Sequence, residues 1–224
     1  MTQRKGWLIG LAACAAAVYA LLWVGFVAQW QWIDTMDRFA LEPLYEHGVN
    51  RPGWVTTWDV LCTVLGPMAF RLIALVVIVV ALVRRNVRTA LFLVVSVELS
   101  GLVTEAAKAA ADRSRPAEAF VYAWGSSFPS GHALGLMCSV LALLTIALPV
   151  VRRRPLRVAL VVVGVVVVLV IGVGRLVLNV HHPSDVLAGW ALGYVWFVIC
   201  VLLVPPVAPI TEEDETPVAP GSSR

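Results

Sequence analysis

Three short segments of this chain carry side chains suited to chemistry. Residues 108–116 read KAAADRSRP, residues 129–132 read PSGH, and residues 175–185 read RLVLNVHHPSD. Each has an ordinary explanation by itself. Lys108 and Arg115 suit cations that snorkel at a helix end. Ser130 suits a helix N-cap followed by a glycine that permits a turn, and the two histidines before Pro183 suit a polar loop. Together they form the set that phosphoryl transfer asks for. Its transition state spreads negative charge over three equatorial oxygens and is stabilised by fixed cations and N–H donors. Lys108, Arg115 and Arg175 supply cations. Ser130 and the backbone N–H groups around Gly131, at the positive end of a helix, supply donors. Two histidines suit an in-line displacement, one attacking phosphorus and one protonating the departing oxygen. Asp185, four residues after His181, can accept the other ring N–H and hold the tautomer that leaves a nucleophilic nitrogen free.

The elements that must position these residues are membrane helices. Of 224 residues 60% are hydrophobic and 14% charged, with a mean hydropathy of +0.86. A soluble domain runs near 45–50% and about 25%, so a single core cannot hide this much apolar surface. Six apolar stretches, residues 7–28, 57–83, 89–111, 130–151, 156–178 and 185–206, are each long enough to cross about 30 Å of hydrocarbon as a helix. The predicted fold is all-α, a six-transmembrane-helix bundle over residues 1–206, followed by a disordered acidic cytoplasmic tail at 207–224. The second stretch is interrupted by Gly66 and Pro67, with Arg71 following. The first begins with Arg4 and Lys5, but its apolar run is too long for a signal peptide, so it reads as an uncleaved span. Residues 29–56 read as an outer loop with a short interfacial helix. Lys108 and Arg115 are seven apart, on one face if the third helix continues to Pro116, which ends it.

Charge placement sets an orientation. The net charge of +3 is too small to argue for nucleic acid. The basic groups Arg4/Lys5, Arg84/Arg85/Arg88 and Arg152/Arg153/Arg154/Arg157 all fall on one side of a six-span protein, and the positive-inside rule makes that side cytoplasmic. Trp30, Trp32, Trp54, Trp58 and Trp124 lie near the opposite ends and Trp7 near the inner end of the first span, as aromatic belts do. Both termini are then cytoplasmic, and all three polar segments are extracytoplasmic. Cys14, Cys62, Cys138 and Cys200 have no metal-ligand or CxxC spacing and read as packing residues.

In this order and spacing the three segments resemble the type 2 phosphatidic acid phosphatase superfamily. Its pattern of K-x6-RP, PSGH and SR-x5-H-x3-D is matched by Lys108…Arg115-Pro116, Pro129-Ser130-Gly131-His132 and Gly174-Arg175…His181…Asp185. One position departs: Gly174 stands where the family has Ser, so a hydroxyl contact to phosphate is expected to be missing or supplied elsewhere. The resemblance implies that His181 is the nucleophile and forms a phosphohistidine, that Asp185 orients it, and that His132 protonates the leaving group. It implies that Lys108, Arg115, Ser130, Gly131 and Arg175 bind the phosphate, with no metal and no cofactor. A metal site built from His132, His181, His182 and Asp185 is disfavoured by the surrounding cations, which repel a divalent ion. His182 is one residue off the pattern and is given no catalytic role. Glu98 and Glu105 share the face of the third span that carries Lys108, and Glu105 is expected to pair with Lys108 three residues on. Asp112 and Arg113 read as a solvated turn.

The resemblance places the substrate among phosphate or diphosphate esters on lipid tails, with the lipid and the bilayer as the only expected partners. Similar bacterial proteins dephosphorylate undecaprenyl diphosphate, phosphatidylglycerophosphate, phosphatidate or lipid A. The leading expectation is an undecaprenyl-diphosphatase-like or general lipid phosphatase of the cell membrane; nothing in the sequence sets its oligomeric state. Two other readings stay open. A lipid phosphotransferase would pass the phosphoryl group to an acceptor other than water. A six-span channel or transporter would place cations at a vestibule but leaves the ordered histidines and aspartate unexplained. Related haloperoxidases share the anion site but are soluble, which the six spans argue against.

Overall fold

In the computed structural model, residues 2–206 are described, and the expected acidic tail at 207–224 lies outside them. The helices are α1 (Thr2–Val27), α2 (Gln31–Val49), α3 (Pro52–Val64), α4 (Pro67–Val83), α5 (Val87–Leu93), α6 (Ser100–Ala111), α7 (Gly131–Val150), α8 (Arg154–Val177) and α9 (Pro183–Leu203). A π-helical turn at Val94–Glu98 joins α5 to α6. Among the described residues, six segments are long and apolar enough to cross a membrane: Lys5–Val27, Pro52–Val83, Val87–Ala111, Gly131–Val150, Arg154–Val177 and Pro183–Leu203. The fold is thus the expected all-α, six-span bundle.

Local sequence explains the helix starts. Proline opens α3, α4, α8 and α9 within the first two positions, where its missing N–H has no intrahelical partner to lose. Pro67 therefore does not end the second span; it starts α4 directly after α3, with Gly66 between them. Residues 29–56 are more ordered than the sequence suggested. Instead of a short interfacial helix they form the 19-residue α2, which buries Ile33, Asp37 and Leu41, a stripe at four-residue spacing.

The packing between α7 and α9 positions the polar segments. Gly189 and Gly193, four apart on α9, sit against the α7 backbone: a Cβ on Gly189 would fall 2.6 Å from the Ser130 carbonyl oxygen, and one on Gly193 would fall 2.8 Å from that of Leu134. Small residues at this spacing let membrane helices approach closely. The approach is tight enough for the Ser130 N–H to donate to the Asp185 carbonyl at 2.9 Å, which binds the start of α7 to the start of α9. Cys62, Cys138 and Cys200 are buried packing residues as expected, whereas Cys14 is exposed on α1. The outward faces are apolar, as lipid requires: Val162, Val163, Val165 and Val166 on α8 are exposed.

Candidate active site

The end of α6, the starts of α7 and α9, and the end of α8 meet at one end of the bundle and bring the three polar segments together. Arg84 and Arg85 lie between α4 and α5, Arg88 in the first turn of α5, and Arg152 to Arg154 at the junction of α7 and α8, at the opposite helix ends.

His181 lies in the turn between α8 and α9 and is 2% exposed. Its Nε2 is 3.3 Å from Nη1 of Arg115. A guanidinium only donates, so this contact needs an unprotonated Nε2 and leaves the ring proton on Nδ1. Nδ1 faces Asp185 Oδ2 at 3.6 Å, too long for a hydrogen bond, and has no other partner. Burial pushes the His181 imidazole down to about 4, against the opposing pull of Asp185. The ring is therefore neutral at pH 7, with its Nε2 lone pair turned toward Arg115.

Around it are donors without acceptors. The Ser130 hydroxyl is fully buried, makes no capping hydrogen bond to α7, and has no partner. Arg175, near the end of α8, is buried with its Nε unpartnered. Such orphaned groups are costly in a closed interior. His132 sits half-buried in the first turn of α7, within electrostatic range of Lys108, Arg115, Arg175 and His181. Lys108, Gly131 and His132 line one cavity of about 520 Å³.

Arg115 reaches this centre by a different route from the one its spacing suggested. α6 stops at Ala111, and Asp112 takes a left-handed backbone (φ 45°), so Lys108 and Arg115 do not share a helix face. Arg115 stands in the 112–130 loop and donates to the carbonyls of Gly125 (3.0 Å), Val180 (2.8 Å), Trp124 (2.7 Å) and Ser126 (3.4 Å) as well as to His181. It brings its charge to the site with its donors already in use.

Arg113 overturns the reading of a solvated turn. It is buried, with Nη1 donating to Asp185 Oδ1 and to Ser184 Oγ, both at 2.6 Å, and Nη2 donating to Asp37 Oδ2 at 2.7 Å. Asp37 in turn accepts from the Ser184 N–H at 2.9 Å and the Ser184 hydroxyl at 2.7 Å. The other Asp185 oxygen accepts the His182 N–H at 2.8 Å and lies 3.2 Å from its ring Nδ1, closing the N-terminus of α9 as a capping box. Asp185 thus has its carboxylate fixed on both sides, and Asp37 and Arg113 are positioning residues the motif does not contain. A lone aspartate on the apolar stripe of α2 was the one signal in the sequence.

Two further expectations change. Among the described residues Glu105 forms no ion pair with Lys108, although it lines the same cavity. Gly174, in place of the family's Ser, has a packing reason: a Cβ there would fall 2.5 Å from Cys62 Sγ and 3.0 Å from the Trp58 ring. Glycine is what lets α8 lie this close to α3.

A six-span helical bundle that gathers cations, a neutral histidine and a fixed carboxylate at one end defines an integral membrane protein with a polar cluster at the helix ends. The chain belongs to the PAP2 superfamily, whose family profile matches residues 89–208, just over half of it. Phosphatidylglycerophosphatase B of Bacillus subtilis (strain 168) is 37% identical over 90 residues, which are 38% of this chain and 43% of that protein; the match therefore spans less than half of that curated relative. The fold is shared with the transmembrane PAP2-type phosphatidylglycerolphosphate phosphatase of Bacillus subtilis, with a TM-score of 0.68 over 89% of this chain and 98% of that one at 20% identity.

Proposed function

We propose that the protein is a membrane phosphatase that removes the terminal phosphate of a phospholipid, with phosphatidylglycerophosphate as the substrate the similarities favour. The observation that carries the reading is the neutral His181 with Nε2 facing the cations and Nδ1 facing a fixed Asp185. In the proposed reaction Nε2 attacks phosphorus in line, the bond from phosphorus to the ester oxygen breaks, and His132 gives that oxygen its proton. Water then attacks the phosphohistidine, passing a proton to His132, and phosphate leaves as the P–N bond breaks. Lys108, Arg115 and Arg175 balance the charge, and the Ser130 hydroxyl and the N–H groups at the start of α7 receive the equatorial oxygens. Asp185, whose Oδ2 faces Nδ1 at 3.6 Å, closes on the Nδ1 proton as imidazolium character develops on phosphorylation.

The site is read as extracytoplasmic, because the basic clusters flank the opposite helix ends. Undecaprenyl diphosphate is the competing substrate, since the same cradle accepts a terminal phosphate joined through an anhydride. The deciding experiment is a phosphate-release panel on purified protein with phosphatidylglycerophosphate, phosphatidate and prenyl diphosphates. Preferred release from phosphatidylglycerophosphate is expected. Release from prenyl diphosphate alone would replace the substrate, and transfer to an alcohol without free phosphate would replace the hydrolase reading with a phosphotransferase.

A further inference from the structure

Arg71 is a charge in the middle of a membrane span that the reaction above does not use. It lies on α4, twelve residues before the span's inner end at Val83, where a guanidinium is costly unless something pairs with it. Among the described residues no carboxylate lies within ion-pair distance of it, and its buried Nε has no hydrogen-bond partner. Its Nη2 lies against Gly101 of α6, 2.7 Å from where a Cβ would be, so the glycine makes room for the guanidinium. Arg71, Gly101, Thr104, Lys108, Gly131 and His132 line the same cavity. The catalytic end of the cavity therefore continues between α4 and α6 to a second cation.

The geometry fixes what this cation would meet. Gly101 precedes Lys108 by seven residues on α6, about 10 Å along the helix axis and further from the His181 end. Helical side chains lean toward the N-terminus of their helix, and the four-carbon stem of Lys108 can cover part of that distance. Met68 and Leu102, exposed on either side of Arg71, give the groove an apolar lip facing lipid. From the catalytic end outward the groove thus offers Lys108 and His132, then Arg71 with Glu105 on the same wall, and a hydrocarbon boundary.

We infer that Arg71 binds a second phosphate of the substrate, a phosphodiester separated from the scissile phosphate by a short carbon linker and lying closer to the acyl chains. The inference rests on the phosphatase reading and sharpens its substrate class. An anhydride-linked diphosphate keeps both phosphates within the cradle and leaves Arg71 unpaired. A glycerol-linked pair reaches both levels. The competing partners are Glu105, which lines the same cavity, and Glu98, three residues before Gly101, whose Oε1 is also buried without a partner. An internal Arg71–Glu98 pair would serve the fold and be indifferent to the substrate.

The test is a selectivity ratio: kcat/KM for phosphatidylglycerophosphate divided by kcat/KM for dodecyl phosphate, which has one phosphate. In Arg71→Gln this ratio should fall at least tenfold, and in Arg71→Lys it should fall less. Parallel losses on both substrates, matched by Glu98→Gln and by a lower melting temperature, would make Arg71 structural and overturn the inference, as would an unchanged ratio. If Arg71→Gln does not fold, Arg71→Lys carries the same ratio. If the wild-type protein releases phosphate from neither substrate, the phosphatase reading fails, and the subsite is read by binding alone. Short-chain phosphatidylglycerol, which carries only the diester, should then bind at least tenfold more weakly to Arg71→Gln than to wild type, and equal binding would overturn it.

Discussion

Arg113 Nη1 lies 2.6 Å from Asp185 Oδ1 while its Nη2 lies 2.7 Å from Asp37 Oδ2, so one guanidinium couples a helix near the start of the chain to the carboxylate behind His181. All three side chains are nearly or fully buried. Removing one partner of such a set leaves an uncompensated charge, at a cost of about 3–5 kcal/mol. Arg113→Leu should therefore lower the melting temperature and the activity together. Asp37→Asn keeps the shape and should lower kcat about tenfold with little change in KM, the size usual for an outer partner of a functional residue. Arg113→Lys should not restore it, because an ammonium cannot bridge two carboxylates with a planar fork. A kcat unchanged in Asp37→Asn would reduce the network to scaffolding.

His181→Ala should abolish turnover and the acid-labile phosphoprotein trapped at short reaction times. His182→Ala should keep most of both, since alanine loses the ring's half of the α9 cap but keeps the backbone N–H that Asp185 accepts. Phosphate release that survives in His181→Ala would move the nucleophile elsewhere.

Acid sensitivity follows from His181. Its folded value is depressed to about 4 from an ordinary value near 6.5. The unfolded chain therefore takes up this proton first as pH falls. Stability from the neutral ring is full above about pH 6.5 and declines down to about pH 4, by on the order of 3 kcal/mol. Thermal melts of His181→Ala should lose less than wild type over that window. ¹⁵N-histidine spectra should show no titration of the His181 ring between pH 5.5 and 8 in the ligand-free protein.

Gly174→Ser would restore the family's residue and is expected to harm this protein. The added Cβ meets Cys62 Sγ and the Trp58 ring, and such overpacking costs about 1–3 kcal/mol. Adding Cys62→Ala should recover part of the loss. A Gly174→Ser protein more active and no less stable than wild type would show that a hydroxyl was missing from the site.

The side of the membrane is testable by labelling single cysteines in a cysteine-free background. Ala117 and Val87 are both exposed and lie at opposite ends of the bundle. An impermeant thiol reagent should reach Ala117→Cys and not Val87→Cys in intact cells. The reverse would put the site in the cytoplasm.

What the sequence disclosed and what it hid divide along physical lines. The spans were legible because hydropathy is a local property summed over about 20 residues. The site residues the structure gathers, from Lys108 to Asp185, were legible because their types and spacing carry chemistry. Arg113 was not, since its partners lie 72 and 76 positions away and no local pattern separates a buried loop cation from a solvated one. The Lys108–Arg115 spacing misled because it assumed one helix, where the left-handed Asp112 ends it. Gly174 looked like a lost hydroxyl until Cys62 and Trp58 were found beside it.

The hydrogen bonds of Arg115 give the site a linkage of uncommon sign. Its donors are held by carbonyls at 124–126 and by Val180 and His181. An anion that took an N–H from Arg115 would take it from these carbonyls or from His181. Occupancy and closure then compete for one set of donors, and by reciprocity each weakens the other. Where many enzymes tighten a loop over the bound ligand, a phosphate that drew on Arg115 would loosen the 124–126 segment as it bound.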